Sequence, residues 1–382
     1  VLARRTNAAG SFSGVARDCM DAGVFTEPPD SRLRRGDGNG KIAEKTGQHA
    51  TMAEHKSRST VSPGFTLLVS LSTLLVFVVV VLSAYIRLGD AGLGCADWPA
   101  SFGQVGAHDN RSLAEGGPLL PPSAARSFHR VAATVFGFFV LGIAFLAIRH
   151  RKRGGPGIVL PLIVLGLTVF LSVLGVVTPS PLIPLVTTGN VLGGMTMLAL
   201  LWWIGLRIQP PAAPDSAAAT HLGAWARFAL VVVAAQIALG AWTSGSFAGP
   251  SCASLSGCAD ASFSMQNLTQ GFEPTRRLER DAQGKVITDA STPVVHMTHR
   301  GGALLAFLYL GWLGYRARAA GGPLRAGGNV LLAMLTLQVV LGLAAVAAGL
   351  PLLLATAHNA GAALLLLAVV NLNHRLTPNK QT

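Results

Sequence analysis

Long apolar stretches, each about the length of a membrane-spanning helix, dominate the pattern of hydrophobic and polar positions along the chain. A bilayer core about 30 Å thick requires roughly 20 apolar residues in a helix, because lipid cannot pair with backbone N–H and C=O groups. The segments that meet this requirement are Phe65–Ile86, Ser127–Ile148, Ile158–Val177, Leu185–Leu206, Trp225–Thr243, Val294–Leu313, Val330–Ala348 and Leu352–Val370. The pattern predicts an all-α polytopic membrane protein with eight transmembrane helices.

Basic residues in the short loops predict the orientation of these helices. Clusters of Lys and Arg precede the first span and follow every even-numbered span, so they all fall on one side. The positive-inside rule makes that side cytoplasmic. The residues concerned are Lys56, Arg58, Arg149, Arg151, Lys152, Arg153, Arg207, Arg227, Arg316, Arg318, Arg325, Arg375 and Lys380. We therefore expect both termini in the cytoplasm and two long loops, 88–126 and 244–293, on the outer face.

Composition agrees with a membrane protein and argues against a soluble one. Hydrophobic residues make up 51% of the chain and charged residues only 12%. The net charge of +13 is spread over loops between apolar runs, which indicates topology and not nucleic-acid binding. Residues 1–63 lack apolar periodicity, so we expect disorder there, and Met52, just before the basic lead, is a candidate true start of translation.

The chain reads as two copies of a four-helix unit. Phe128–Arg130 resembles Thr298–Arg300 at an offset of 170 residues, and Thr188–Asn190 resembles Ala357–Asn359 at nearly the same offset. Because each unit has an even number of spans, the copies should be related by a pseudo-twofold axis along the membrane normal. We predict two four-helix bundles, at 64–208 and 225–375, joined by a cytoplasmic linker at 209–224 and followed by a tail at 376–382.

Histidines near the outer ends of the spans are the first functional candidates. Ionisable groups within spans are costly and usually face a bundle interior or a cavity. His299 and His358 lie at matching depth in spans 6 and 8, where two neutral imidazoles can ligate a haem iron from both axial sides. The alternative is that each imidazole only hydrogen-bonds a neighbouring carbonyl. The other histidines, apart from His129, are expected mostly in solvent.

The N-terminal half departs from this pairing. His129 is matched there by Asn190, and an amide is a poor axial ligand, so that half could hold a five-coordinate haem or a haem bound as substrate. Arg87, Arg130 and Arg300 lie near the outer interface. They could bind haem propionates through their donor forks, or they could simply extend to the interface.

Two cysteines in the second outer loop form a candidate disulfide. Cys252 and Cys258 are separated by five residues on the oxidising side of the membrane. A free pair or a transient redox couple is the alternative. Cys95, in the first outer loop, lacks a second cysteine in its own loop.

Several of these residues stand in motifs that resemble the haem A synthases of the COX15/CtaA family. The resemblance covers about residues 60–375 and includes a specific GLGCxDWP stretch. It rests on Tyr85–Arg87, Gly92–Pro99, His129 with Arg130, the Cys252 and Cys258 loop, His296–Arg300 and His358.

The resemblance implies a membrane oxidoreductase that oxidises a ring methyl group of haem O to the formyl group of haem A for cytochrome oxidase biogenesis. It implies haem b as cofactor on His299 and His358, and haem O as substrate with its iron facing His129. The sequence departs from the family pattern at three positions of the N-terminal half. Arg126 stands where a Glu is frequent, Asn190 replaces a second His, and Ser101 replaces a second Cys.

The leading hypothesis is therefore a haem A synthase-like enzyme in the bacterial inner (plasma) membrane, with its haem sites near the periplasmic face. His129 and Arg126 are its candidate catalytic residues, and Arg87, Arg130, Arg300 and Asn190 its candidate haem contacts. We expect the lipid bilayer, an external electron donor and haem O synthase as partners, with an oligomer as a further option. A haem b-binding protein without methyl oxidation is the alternative, and a repeat-built transporter is a third.

Overall fold

Helices of membrane-spanning length account for most of the fold. The computed structural model describes residues 62–89, 121–151, 157–178, 182–208, 216–252, 258, 262–282 and 286–377. The N-terminal segment with Met52, the Gly92–Pro99 motif with Cys95, Ser101, residues 209–215 of the predicted linker and residues 378–382 lie outside the described residues.

Each predicted span coincides with a helix. The helices are α1 (Pro63–Leu88), α2 (Pro122–Arg149), α3 (Val159–Val177), α4 (Pro184–Ile208), α5 (Ser216–Gly245), α6 (Met265–Gly271), α7 (Thr292–Ala319), α8 (Gly322–Ala347) and α9 (Leu352–Arg375). The short α6 lies in the loop between α5 and α7 and was not predicted. Helices α5 and α8 begin eight or nine residues before the predicted spans, because the prediction counted only apolar residues and the helices continue beyond them.

Seven of the helices in the described part of the chain are long and apolar enough to cross a membrane. Helix α7 is long enough, at 28 residues, but it is not one of the seven. It carries His296, His299 and Arg300 in its first third, and these polar side chains interrupt its apolar run. The chain is therefore a multi-pass, all-helical membrane protein. Large apolar side chains such as Phe138 and Leu305, 68% and 70% exposed, cover its outer surface, as expected where lipid is the solvent.

Helix contacts follow a closed pattern within each half of the chain. Helices α1 and α3 each contact α2 and α4, and helices α5 and α8 each contact α7 and α9. Between the halves, α4 contacts α5 and α9, and α9 also contacts α1. Asn373 donates a hydrogen bond from Nδ2 to the Ala226 carbonyl at 2.7 Å, which joins α9 to α5 within the second half.

Proline and glycine mark the starts of several of these helices. Helices α1, α2, α7 and α8 have proline in their first turn, where its missing N–H would have no partner in any case. Helix α8 follows Gly321 at φ 76°, a conformation that favours glycine. The starts matter for function because they set the depth of the polar residues: His129 and His299 lie seven residues into α2 and α7, and Asn190 and His358 six residues into α4 and α9.

Candidate functional site

A cavity of about 470 Å³ lies among the helices of the N-terminal half, within the size range typical of small-molecule sites. His129 from α2 and Asn190 from α4 both line it. Apolar side chains such as Val80 and Phe136 form much of the wall. Asn359, next to His358 on α9, lines the same cavity, so one helix borders this cavity and also carries a histidine of the second half.

Arginines give the cavity a positive lining. Arg87, Arg126, Arg130 and Arg280 all line it, and no Asp or Glu is among the described residues around it. Arg87 donates a hydrogen bond from Nε to Ser244 Oγ at 2.9 Å, which ties α1 to α5. The predicted haem contacts of this half, Arg87, Arg130 and Asn190, are thus brought together with His129. Guanidinium groups around an apolar chamber suit a ligand that combines an apolar body with carboxylates.

Arg280 was missed by the sequence reasoning, because it lies in the loop between α5 and α7, far along the chain from most of the other lining residues. The backbone N–H of Leu278 donates to the Leu182 carbonyl at 2.9 Å, so this loop is fastened to the turn between α3 and α4. Arg280 also pairs with Val286 in an isolated antiparallel bridge. No sequence motif marks a contact of this kind, which depends on how the two halves pack.

An ion pair further stabilises the same loop just before α7. Arg276 contacts Asp289 at 2.9 Å, and Ser291 donates to Asp289 from both its backbone N–H and its hydroxyl group. Burial alone would raise the pKa of Asp289, but the Ser291 hydrogen bonds and the Arg276 charge outweigh it, so the pKa lies below its usual value. The carboxylate therefore stays charged at neutral pH and holds the loop that carries Arg280.

In the second half, each of the two paired histidines contacts a glutamine on a neighbouring helix. The Gln236 Nε2 atom lies 3.0 Å from His299 Nδ1 and donates to the His299 carbonyl at 3.1 Å. The Gln338 Nε2 atom lies 3.2 Å from His358 Nε2. The sequence analysis did not identify either glutamine, although a polar amide in the middle of an apolar span is itself a signal.

His296 shows that the expectation of solvated histidines was partly wrong. His296 is only 5% exposed, and its Nδ1 lies 3.1 Å from the Ala248 carbonyl. Arg300 contacts His296 Nε2 from Nε at 3.3 Å and donates from a terminal nitrogen to the Cys252 carbonyl at 3.2 Å. His374 is also buried, at 7% exposed. His296 and Arg300 thus connect α7 to the loop that follows α5.

The disulfide expected in that loop is present. Cys252 is joined to Cys258, with their Cα atoms 5.1 Å apart, and both side chains are buried. Cys252 ends a short 3₁₀ helix, Gly249–Cys252, that packs against α7. The disulfide therefore closes a ring within the loop that packs against α7, the helix that carries His299.

The fold and these sites define a class of protein: a multi-pass helical membrane protein with histidines held at fixed depths in apolar helices. The chain belongs to the COX15-CtaA family, because the model of that family, described as cytochrome oxidase assembly protein, matches residues 125–370. The chain is also similar to the haem A synthase of Shewanella oneidensis, with 33% identity over 322 residues, or 81% of this chain and 96% of that protein. The resemblance seen in the motifs is confirmed.

Proposed function

We propose that the protein is a haem-dependent membrane oxidoreductase that converts haem O to haem A for cytochrome oxidase assembly. This proposal is supported by the different sites that the two halves of the chain contain. The first half contains a cavity that His129 and several arginines line. The second half contains two histidines, each in contact with the side-chain amide of a glutamine. The family of the chain and its haem A synthase relative support the same activity.

In the second half, His299 and His358 would hold haem b. No cluster of three or more His, Cys, Asp or Glu side chains occurs in the described part of the chain. A pair of imidazoles suits a metal whose remaining ligands come from a macrocycle. The Nδ1 atom of His358 is buried without a hydrogen-bond partner, as expected for a nitrogen that is available to bind iron. When bound, the haem would supply one-electron redox chemistry, and Arg300 holds the loop of Cys252 against α7.

In the first half, haem O would occupy the cavity as substrate, with His129 facing its iron. Arg87, Arg126 and Arg130 would bind the propionates. An arginine cannot serve as a proton acceptor at neutral pH, so Arg126 acts in binding and not as the base that a Glu could provide. The conversion of a methyl to a formyl group replaces two C–H bonds by a C=O bond. It is a four-electron oxidation, and both its oxygen atom and its redox partner must come from outside the chain.

The architecture that we propose has eight spans, including α7, in two four-helix bundles at 64–208 and 225–375. The closed contact pattern within each half supports it, as do the matching depths of His129, Asn190, His299 and His358. Both termini would be cytoplasmic, and the haem sites would lie near the periplasmic face of a bacterial inner membrane. Haem O synthase and a second copy of the chain are candidate partners.

A haem b-binding protein without methyl oxidation is the second candidate. Asn190 favours it, because this amide stands at the depth of a histidine and leaves His129 as the one imidazole among the described residues that line the cavity. The two candidate functions differ in whether haem O is oxidised in the cavity, so an assay for haem A distinguishes them.

A pigment analysis of His129→Ala tests the assignment of the two halves. We expect the variant to retain its haem b and to lose haem A formation in a host that makes haem O. His221→Ala, at an exposed position at the start of α5, is the control and should behave as wild type. Loss of haem b in His129→Ala, or undiminished haem A, would contradict the assignment.

A further inference from the structure

The contacts of His299 and His358 follow one local pattern that occurs twice in the second half. Gln236 and Gly240 lie on α5 facing His299, and Gln338 and Gly342 lie on α8 facing His358. A glycine also follows each histidine by three residues, Gly302 and Gly361. Helices α5 and α8 share the sequence pattern Gln-x-x-Leu-Gly, and both contact α7 and α9, the two helices that carry the histidines.

The glycines in this pattern are required by close packing. A Cβ atom on Gly240 would lie 3.0 Å from Cε1 of His299, and one on Gly342 would lie 2.9 Å from Cε1 of His358. A Cβ atom on Gly302 would lie 2.6 Å from Oε1 of Gln236. Each imidazole therefore fits directly against one helix, and each amide against the other, which leaves little freedom for either ring to turn.

Several polar atoms of these histidine–glutamine pairs have no hydrogen-bond partner. The Oε1 atoms of Gln236 and Gln338 are both buried without a partner, and so is Nδ1 of His358. A neutral imidazole that ligates a metal through one nitrogen carries its proton on the other, and it usually donates that proton to an acceptor. The amide oxygens are acceptors of this kind, but in the structure the Nε2 atom of each amide faces the ring. Turning the amide over exchanges its nitrogen and oxygen and presents the oxygen to the ring.

We propose that Gln236 and Gln338 are positioning residues for the haem-binding histidines. When haem binds, each amide turns over and gives up the contacts that its Nε2 atom makes in the structure. Its oxygen then accepts the proton from the ring nitrogen that does not bind iron. This hydrogen bond fixes the tautomer and the plane of the ring and raises its basicity as a ligand. The inference rests on the proposed haem site at His299 and His358.

The first half supports this inference by contrast. Leu171–Gly175 has the sequence Leu-x-x-Leu-Gly, so Leu171 stands where α8 has Gln338. A Cβ atom on Gly193, three residues after Asn190, would lie 2.6 Å from Cδ2 of Leu171, as the glycine of the second half lies against the amide. In α1, Val79–Ser83 keeps only the leucine of the pattern, with Val79 in place of Gln and Ser83 in place of Gly. Val79 and Leu171 line the open cavity, so the half that would exchange its haem lacks both amides.

Spectroscopy and haem retention of the purified holoprotein test the role of the glutamines. In Gln236→Leu and Gln338→Leu, we expect haem b affinity to fall about 10- to 100-fold, the usual effect of removing the partner of a metal-bound histidine. The midpoint potential should rise, because a less basic imidazole stabilises ferric iron less, and the ferric EPR signal should change as the ring planes are released. Gln266→Leu, at an exposed position in α6, is the control and should leave all three quantities unchanged.

A substitution that keeps the shape of the side chain makes the test independent of folding. Gln236→Glu retains an acceptor oxygen, so we expect wild-type haem retention and a midpoint potential at or below that of wild type. If Gln236→Leu or Gln338→Leu fails to accumulate, the midpoint potential and haem retention of Gln236→Glu alone decide the test. Leucine variants with wild-type affinity, potential and EPR signal, or a raised potential in Gln236→Glu, would overturn the role of the glutamines. A wild-type protein without a bis-histidine haem would instead refute the proposed function.

Discussion

Arg280 illustrates how the substrate cavity depends on a residue from the opposite half of the chain. It lines the cavity at the end of a loop that the Leu278 to Leu182 hydrogen bond fastens to the first half. In our account its guanidinium group completes the set of arginines for the carboxylates of haem O. The motifs identified His129, Arg87, Arg126 and Arg130 because they lie in or near apolar spans. A loop arginine looks like any exposed charge until the loop is placed.

We expect Arg280→Gln to weaken haem O binding about tenfold or more, because a hydrogen bond to a charged group contributes about 1.5–3 kcal/mol. Haem A yield at limiting haem O supply measures the effect, and haem b content should not change. Arg277→Gln is the matched control, because Arg277 is exposed in the same loop and is not among the described lining residues. Equal yields from the two variants would exclude Arg280 from the site.

The positions of the long helices along the chain could be predicted from the sequence, but the close contacts between those helices could not. Apolar runs located the eight long helices, because period and length are written directly in the sequence. The bounds of α5 and α8 were missed because helix formation continues past the apolar residues. Gln236 and Gln338 were passed over for a different reason. Their role depends on which helices are neighbours, and a single sequence does not give the pairing of α5 with α7 or of α8 with α9.

Gly328 provides a test of one such contact, between α7 and α8. A Cβ atom there would lie 2.6 Å from the Gly314 carbonyl oxygen, and backbone cannot move aside as a side chain can. We expect Gly328→Ala to destabilise the protein by about 1–3 kcal/mol through overpacking. Thermal unfolding in detergent measures this. Gly166→Ala, in α3 with no atom within 4 Å of its Cβ, is the control and should be neutral or stabilising by about 0.5–1 kcal/mol. Similar melting temperatures for both variants would show that α7 and α8 pack less closely than described.

The whole molecule is proposed to cross the membrane with both termini inside and the second outer loop outside. We expect Arg277→Cys to react with a membrane-impermeant maleimide in spheroplasts, and Arg151→Cys to react only after lysis. Both positions are exposed, so access to the reagent depends on the side of the membrane. Cys19→Ser and Cys95→Ser remove the other two cysteines of the chain from the background, and Cys252 and Cys258 stay protected in their disulfide. The reverse labelling pattern would invert the topology.

We propose that haem O is oxidised in the cavity that His129 lines, although Asn190 and Arg126 depart from the family pattern. The most direct measurement is mass analysis of haem extracted from membranes of a host that makes haem O but no haem A, with and without this protein. Our account predicts haem A only when the protein is present, together with haem b in the purified protein. Haem b with haem O and no haem A would contradict it, and would leave a haem-binding protein of the COX15-CtaA family without methyl oxidation.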